Sequence, residues 1–123
     1  MTEGIEAVTR TALTLALDAA SLRQQAIAAN IANVNASGYV PQRVSFEAQL
    51  ADARRGLREE GILDPAALSD VRPAMEADVR ADAIGLDMEV AEMARNALQY
   101  QALLKGLSRH LEILSLAVAD GRK

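Results

Sequence analysis

The chain has no cysteine and no tryptophan, and its 123 residues carry one histidine and three aromatic rings, Tyr39, Phe46 and Tyr100. Without cysteine there is neither a disulfide nor a thiolate metal site. Three scattered rings make no stacking platform for bases or sugars. Basic residues are outnumbered, 13 Lys and Arg against 17 Asp and Glu, for a formal net charge of -4. No basic field therefore draws nucleic acid or an acidic lipid surface. Long apolar runs are missing too. The longest uncharged stretch, Gln24 to Gln42, contains Asn30, Asn33, Asn35, Ser37 and Gly38, which suits water or a protein interface better than lipid. Glu6, Arg10, Asp18 and Arg23 interrupt the opening pattern, so no cleavable leader is expected. Composition alone points to the cytoplasm.

Matching apolar stripes occupy the two ends of the chain. Near the start, Val8, Ala12, Leu15, Ala19, Leu22, Ala26 and Ala29 recur at alternating spacings of four and three. Near the end, Leu86, Val90, Met93, Ala97, Tyr100, Leu104, Leu107, Leu111, Leu114 and Val118 do the same. Such a repeat places one seam along a helix, as in a coiled coil. The first helix is expected over about Ile5–Val34 and the last over about Leu86–Ala119. A second row on the first helix, Leu13, Leu17, Ala20, Ile27, Ile31 and Val34, means that more than one of its faces needs cover. Gly106 is either a close helix contact or simply tolerated, at a cost of about 1 kcal/mol relative to alanine.

The middle differs in kind. Between Glu47 and Asp82 it holds nine acidic and five basic side chains, and Pro41, Pro65 and Pro73 break any long helix. Short helices are expected over about Phe46–Arg58 and from Asp64-Pro65, with Asp64 as cap and Pro65 in the first helical position. The organisation read from sequence is therefore 1–39, an N-terminal helix with a polar exit; 40–85, a variable middle; and 86–123, a C-terminal helix. The expected fold is all-α, with long terminal helices packed as a coiled-coil-like hairpin around an irregular or conditionally ordered middle. Two helices and a polar middle bury little, so part of the apolar surface is expected to be covered by other chains.

Catalytic chemistry finds no support. No glycine-rich phosphate loop or nucleophile elbow is present. His110, between Arg109 and Leu111, reads as a solvated helix residue rather than a general base. Glu59, Glu60, Glu76 and Asp78 read as solvated surface rather than a metal or acid–base cluster. No enzymatic activity, cofactor, metal or small-molecule substrate is expected.

The most specific segment is Ala29-Asn30-Ile31-Ala32-Asn33-Val34-Asn35-Ala36-Ser37-Gly38-Tyr39. Asn33 falls where the next seam residue is due, and a polar amide there fixes register at some cost in stability. Asn30 lies one turn earlier, able to share its partners. Gly38 is suited to positive φ as the chain leaves the helix, and Tyr39 is placed to anchor it.

At these residues the chain resembles the bacterial flagellar rod and hook family. That family's N-terminal helix ends in Ala-Asn-x-Ala-Asn-x-x-Thr-x-Gly-Tyr. Ala29, Asn30, Ala32, Asn33, Gly38 and Tyr39 match; Ala36 stands where threonine is usual, and Ser37 where proline is frequent. Leu22-Arg23-Gln24-Gln25, Asp87-Met88-Glu89-Val90 and Asn96-Ala97-Leu98-Gln99-Tyr100-Gln101-Ala102 resemble the short proximal rod branch. The resemblance covers about Leu13–Tyr39 and Leu86–Leu116.

It implies a torque-transmitting structural subunit that polymerises through its terminal helices. The implied partners are further copies, other rod proteins of the FlgC and FlgF kind, the FliE adaptor, the MS ring and the flagellar type III export gate. It moves the expected working location to the periplasmic basal body, reached without a cleavable signal peptide. Phe46 and Leu50 resemble the Phe-x-x-x-aliphatic export-gate motif; equally, they form an i, i+4 pair on a short helix. The competing reading is a soluble helical adaptor or export chaperone acting as a small oligomer.

Overall fold

A computed structural model describes residues 2–61, 65–81 and 85–122. The elements in order are α1 (Thr2–Ala32), β1 (Gln42–Ser45), α2 (Glu47–Glu60), α3 (Pro65–Ser69), β2 (Ala74–Ala77) and α4 (Leu86–Gly121). The chain is mostly helical, and its two long terminal helices pack together. No helix among the described residues is long and apolar enough to cross a membrane.

Alanine and leucine dominate α1, and no proline interrupts it. Its exit is gradual. The Asn33 N–H is shared between the carbonyls of Ala29 and Asn30 at 3.1 and 3.3 Å, Val34 N–H reaches Ile31, and Ala36 N–H reaches Asn33. This is the tightened last turn that replaces missing i→i-4 partners. Gly38 then takes φ +76, a conformation that glycine adopts without strain.

At about 1.5 Å per residue, the 36-residue α4 is ~54 Å long. Asp87 and Glu89 lie in its first turn, where acids complement the helix dipole. It runs antiparallel to α1: Leu13 lies near Gly106, Ala20 meets Asn96, and Asn30 meets Glu89.

The middle is more regular than the sequence suggests. β1 and β2 pair antiparallel, with Gln42 opposite Ala77, Arg43 opposite Glu76, Val44 opposite Met75 and Ser45 opposite Ala74. The expected helical architecture with packed terminal helices holds, and the departure is confined to the middle: among the described residues a small sheet brackets α2 and α3. The α3 start at Pro65 agrees with its expected place, whereas the Asp64 cap lies outside the described residues. The sheet and α3 pack on α1. Two partners on two sides explain why buried α1 residues come from both rows: Leu15, Ala19 and Ala26 from the first, Ala20 and Ile27 from the second. Val44, Ala53, Leu68 and Val71 complete the core.

Much surface stays open nonetheless. The accessible area is 8710 Å², whereas a compact protein of this mass exposes about 6,400 Å². Gly106 belongs to the tolerated class. A Cβ there would sit 3.9 Å from Leu13 Cδ2, ordinary van der Waals contact. Gly106→Ala is expected to raise stability by up to about 1 kcal/mol, read as a higher denaturant midpoint at unchanged slope.

Candidate assembly interface and the clasp that presents it

The α4 face turned to α1 follows a 3–4 repeat with an unexpected composition. Glu89 and Asn96 are buried, Met93, Leu103, Leu107, His110 and Leu114 are half-buried, and Tyr100 is 38% exposed. Of the expected seam, Met93, Leu107 and Leu114 stay on the covered side. Leu86, Val90, Ala97, Leu104, Leu111 and Val118 are exposed. The common row, 93/100/107/114, has an apolar flank at 90/97/104/111/118 and a partly polar flank at 89/96/103/110. Periodicity favours the apolar flank; the fold turns the polar one inward, where Glu89 and the Asn96 amide nitrogen have partners on α1 and β1.

Asn30 is the centre of that arrangement and is 0% exposed. Its Nδ2 donates to the Gln42 carbonyl at 3.0 Å and to Glu89 Oε2 at 3.3 Å. Its Oδ1 accepts from the Gln42 N–H at 2.7 Å and the Tyr39 hydroxyl at 3.1 Å. Two donors and two acceptors are the whole capacity of a carboxamide. With Gln42 it pairs as a neighbouring strand's peptide would, closing the inner edge of β1. Glu89 accepts in turn from Arg43 Nη1 at 3.0 Å, and Arg43 lies 3.7 Å from Asp78. One clasp therefore joins α1, its exit loop, the sheet and the start of α4.

Asn33 does not share this role. It is half-buried, and its Nδ2 bonds back to the Ala29 carbonyl within the same helix at 2.8 Å. The register function expected at Asn33 therefore sits at Asn30, whose position faces both the strand and α4. Ala29 is half-buried beside it, while Ala32 and Gly38 are exposed. Val8 and Leu22 are half-buried.

Asn96 is the second polar centre, 3% exposed. Its Nδ2 donates to the Ala20 carbonyl and to Gln24 Oε1, both at 2.8 Å. The amide orientation follows, since turning it would set an acceptor against two acceptors. Asn96 Oδ1 is left buried without a partner, as is His110 Nε2. His110 is thus half-buried rather than a solvated helix residue. Each orphan costs the folded chain about 1–3 kcal/mol in lost hydration. An open groove of about 270 Å³ lies beside Asn96, between α1 and α4.

Phe46 directly precedes α2 and Leu50 N–H bonds to its carbonyl at 3.0 Å, so the pair occupies the first turn. Both side chains are half-buried, and the Arg23 guanidinium lies 5.9 Å from the Phe46 ring centroid. Arg23 also pairs with Glu47 at 3.0 Å. Partial desolvation pushes the Glu47 carboxyl up, but the Phe46 and Glu47 N–H groups and the Arg23 charge outweigh it and hold it below 4.5. A lowered folded-state value stabilises above the unfolded one and is lost as pH falls through the folded one. Glu47→Gln should therefore cost at most about 1 kcal/mol near neutrality, because the pair is exposed. Denaturant melts of both proteins should converge as pH falls below 4.5.

No family model matches the chain, and no curated protein matches it. What the site does must come from its geometry. Among the described residues no cluster of His, Cys, Asp and Glu suits a metal ion. Asp78 is engaged with Arg43, and Glu76 stands opposite Arg43 in the sheet. The large feature without a described intrachain role is apolar: Leu86, Met88, Val90, Leu98, Leu104, Leu111, Ile113, Leu116 and Val118 are all exposed on α4.

Proposed function

We propose that this chain is a structural subunit of the bacterial flagellar proximal rod, of the FlgB kind, that polymerises through its terminal helices. The observation that carries the reading is the double apolar face of α4. Leu98, Ile113 and Leu116 lie about 120–180° round the helix from Leu104, and both faces are exposed. A closed dimer would cover one face and leave the other wet. Covering both calls for a head-to-tail interface, which grows open-ended assemblies. The residues that resemble the rod family's motif add support of a different kind. Asn30 and Tyr39 work here as structure, holding the chain's exit from α1 against α4, as a stiff assembly subunit requires.

On this reading the chain works in the periplasm at the rod base, among FlgC- and FlgF-like rod proteins, the FliE adaptor and the MS ring. It arrives through the type III export gate, with Phe46 and Leu50 as the gate contact. FlgC-like subunits are the nearest alternative within the family. Sedimentation velocity over a wide concentration range tests the assembly: growth without a fixed end point is expected. A single small oligomer at all concentrations would transfer the chain to the adaptor or chaperone class. Periplasmic arrival that stops when the flagellar export apparatus is deleted tests the cellular half.

A further inference from the structure

The sheet has one edge whose main-chain groups the fold leaves unmet. Asp78 N–H donates to the Pro41 carbonyl at 2.8 Å. With the register, this fixes the ladder: Arg43 with Glu76 and Ser45 with Ala74 are the hydrogen-bonded pairs, whereas Gln42 with Ala77 and Val44 with Met75 are not. In a non-bonded pair the N–H and C=O groups point out of the ladder. On β1 that side faces α1, and Asn30 takes up both groups of Gln42. On β2 the matching groups belong to Met75 and Ala77, and no hydrogen bond among the described residues engages them. All four β2 side chains are exposed. Such an edge is a template for an extended chain. The side chains decide what that chain must carry. Arg43 stands opposite Glu76, but its guanidinium is held by Glu89 at 3.0 Å and lies 3.7 Å from Asp78. Glu76 makes no ion pair among the described residues. Met75, 38% exposed, shares a sheet face with the buried Val44.

We propose that the β2 edge binds an extended segment of a partner protein with the pattern apolar–basic–apolar, added as an antiparallel strand. The apolar residues of that segment exchange hydrogen bonds with Met75 and Ala77, and their side chains extend the face of Val44 and Met75. The basic residue stands opposite Glu76, in the non-bonded pairing that brings side chains closest. A second copy of the chain offers the wrong charge. The register in which two β2 edges satisfy all of each other's free groups sets Glu76 against Glu76, a like pair that costs stability. Glu76 thus works twice, repelling a sister edge and selecting a basic strand. The inference goes beyond the rod-subunit reading and does not rest on it.

The probe is a fluorescein-labelled peptide, Ser-Thr-Val-Lys-Val-Thr-Ser, titrated with the full chain and read by anisotropy and by amide hydrogen exchange. Saturable binding is expected, with a Kd of roughly 1 mM or tighter, together with slowed exchange at the Met75 and Ala77 amides. The same peptide with glutamate in place of lysine should bind roughly tenfold more weakly. Glu76→Lys, at an exposed position, should reverse that order. Ala77→Pro removes an outward N–H and no bond of the β1–β2 ladder, so binding should be lost while the Glu76 amide keeps its protection. No saturable binding, binding that survives Ala77→Pro, or one order of the two peptides in both the parent and Glu76→Lys would overturn the proposal. So would protection of Met75 and Ala77 that rises with protein concentration and without peptide, which would give the edge to a second copy. Open-ended growth in sedimentation is untouched by any of these results, so the rod reading stands or falls separately.

Discussion

Leu104→Asp combined with Leu111→Asp is expected to abolish self-association while the monomer keeps its helicity. Both side chains are 46% exposed on the apolar flank of α4. Neither is buried in the lone chain, so the change should cost folding about 0.5 kcal/mol or less per site. Covering the exposed half of a leucine in an interface is worth about 0.7–1.4 kcal/mol, so losing two weakens association roughly ten- to a hundredfold. A carboxylate forced into the covered strip adds a desolvation cost. The comparison that gives the result meaning is Leu107→Asp or Leu22→Asp. Those side chains are half-buried against their own chain, so these variants should lose helicity and association together. Sedimentation velocity with far-ultraviolet circular dichroism separates the two patterns. In a motile host, the Leu104/Leu111 variant should be stable and exported yet non-motile. Normal assembly and swimming would show that this flank is not an interface.

The long helices were legible because a 3.6-residue period sustained over some thirty residues is hard to imitate by chance. The α4 start at Leu86 and the α3 start at Pro65 coincide with their expected places for that reason and for proline's fixed φ. The sheet was not legible. β2 is Ala-Met-Glu-Ala, without a β-branched residue, and four residues carry no convincing alternation. Its stability comes from elsewhere: Asn30 closes the β1 edge from twelve positions upstream, and Glu89 anchors Arg43 from forty-six positions downstream. The one local hint was opposite charge at Arg43 and Glu76, which register sets face to face.

The seam shows a subtler limit. Hydrophobic periodicity located the common row of α4 and joined it to the apolar flank, which is exposed, whereas the intrachain contact uses the other flank. Glu89, Asn96 and His110 look like solvent-facing positions when read one residue at a time. Glu89 and Asn96 face inward because α1 and β1 carry partners for Glu89 and for the Asn96 amide nitrogen, information that lies in the other half of the chain. The same reversal is what frees the apolar flank for an interface.

Within the Asn-x-x-Asn segment, the two asparagines should therefore respond very differently to substitution. Asn30→Leu keeps the branched shape, adds some volume at a fully buried position, and removes four hydrogen bonds at once. It strands the Gln42 N–H, the Tyr39 hydroxyl and one oxygen of Glu89, which is 4% exposed, while the Gln42 C=O keeps Arg43 Nη1 as a donor at 3.1 Å. Leaving buried partners unpaired costs about 1–3 kcal/mol each where water cannot reach them, and more for a charge. A total of about 3–5 kcal/mol is expected, the range for breaking a buried charged network. Asn33→Ala removes one bond to the Ala29 carbonyl inside a helix end, where the carbonyl keeps the Asn33 N–H as a donor. Its cost should stay near 1 kcal/mol or below. Denaturant melts on both variants check the contrast. Hydrogen exchange sharpens it: Asn30→Leu should expose the Gln42 amide and the sheet before the α1–α4 contact near Asn96. Equal, small effects at the two positions would show that the clasp does not hold the sheet to the helices.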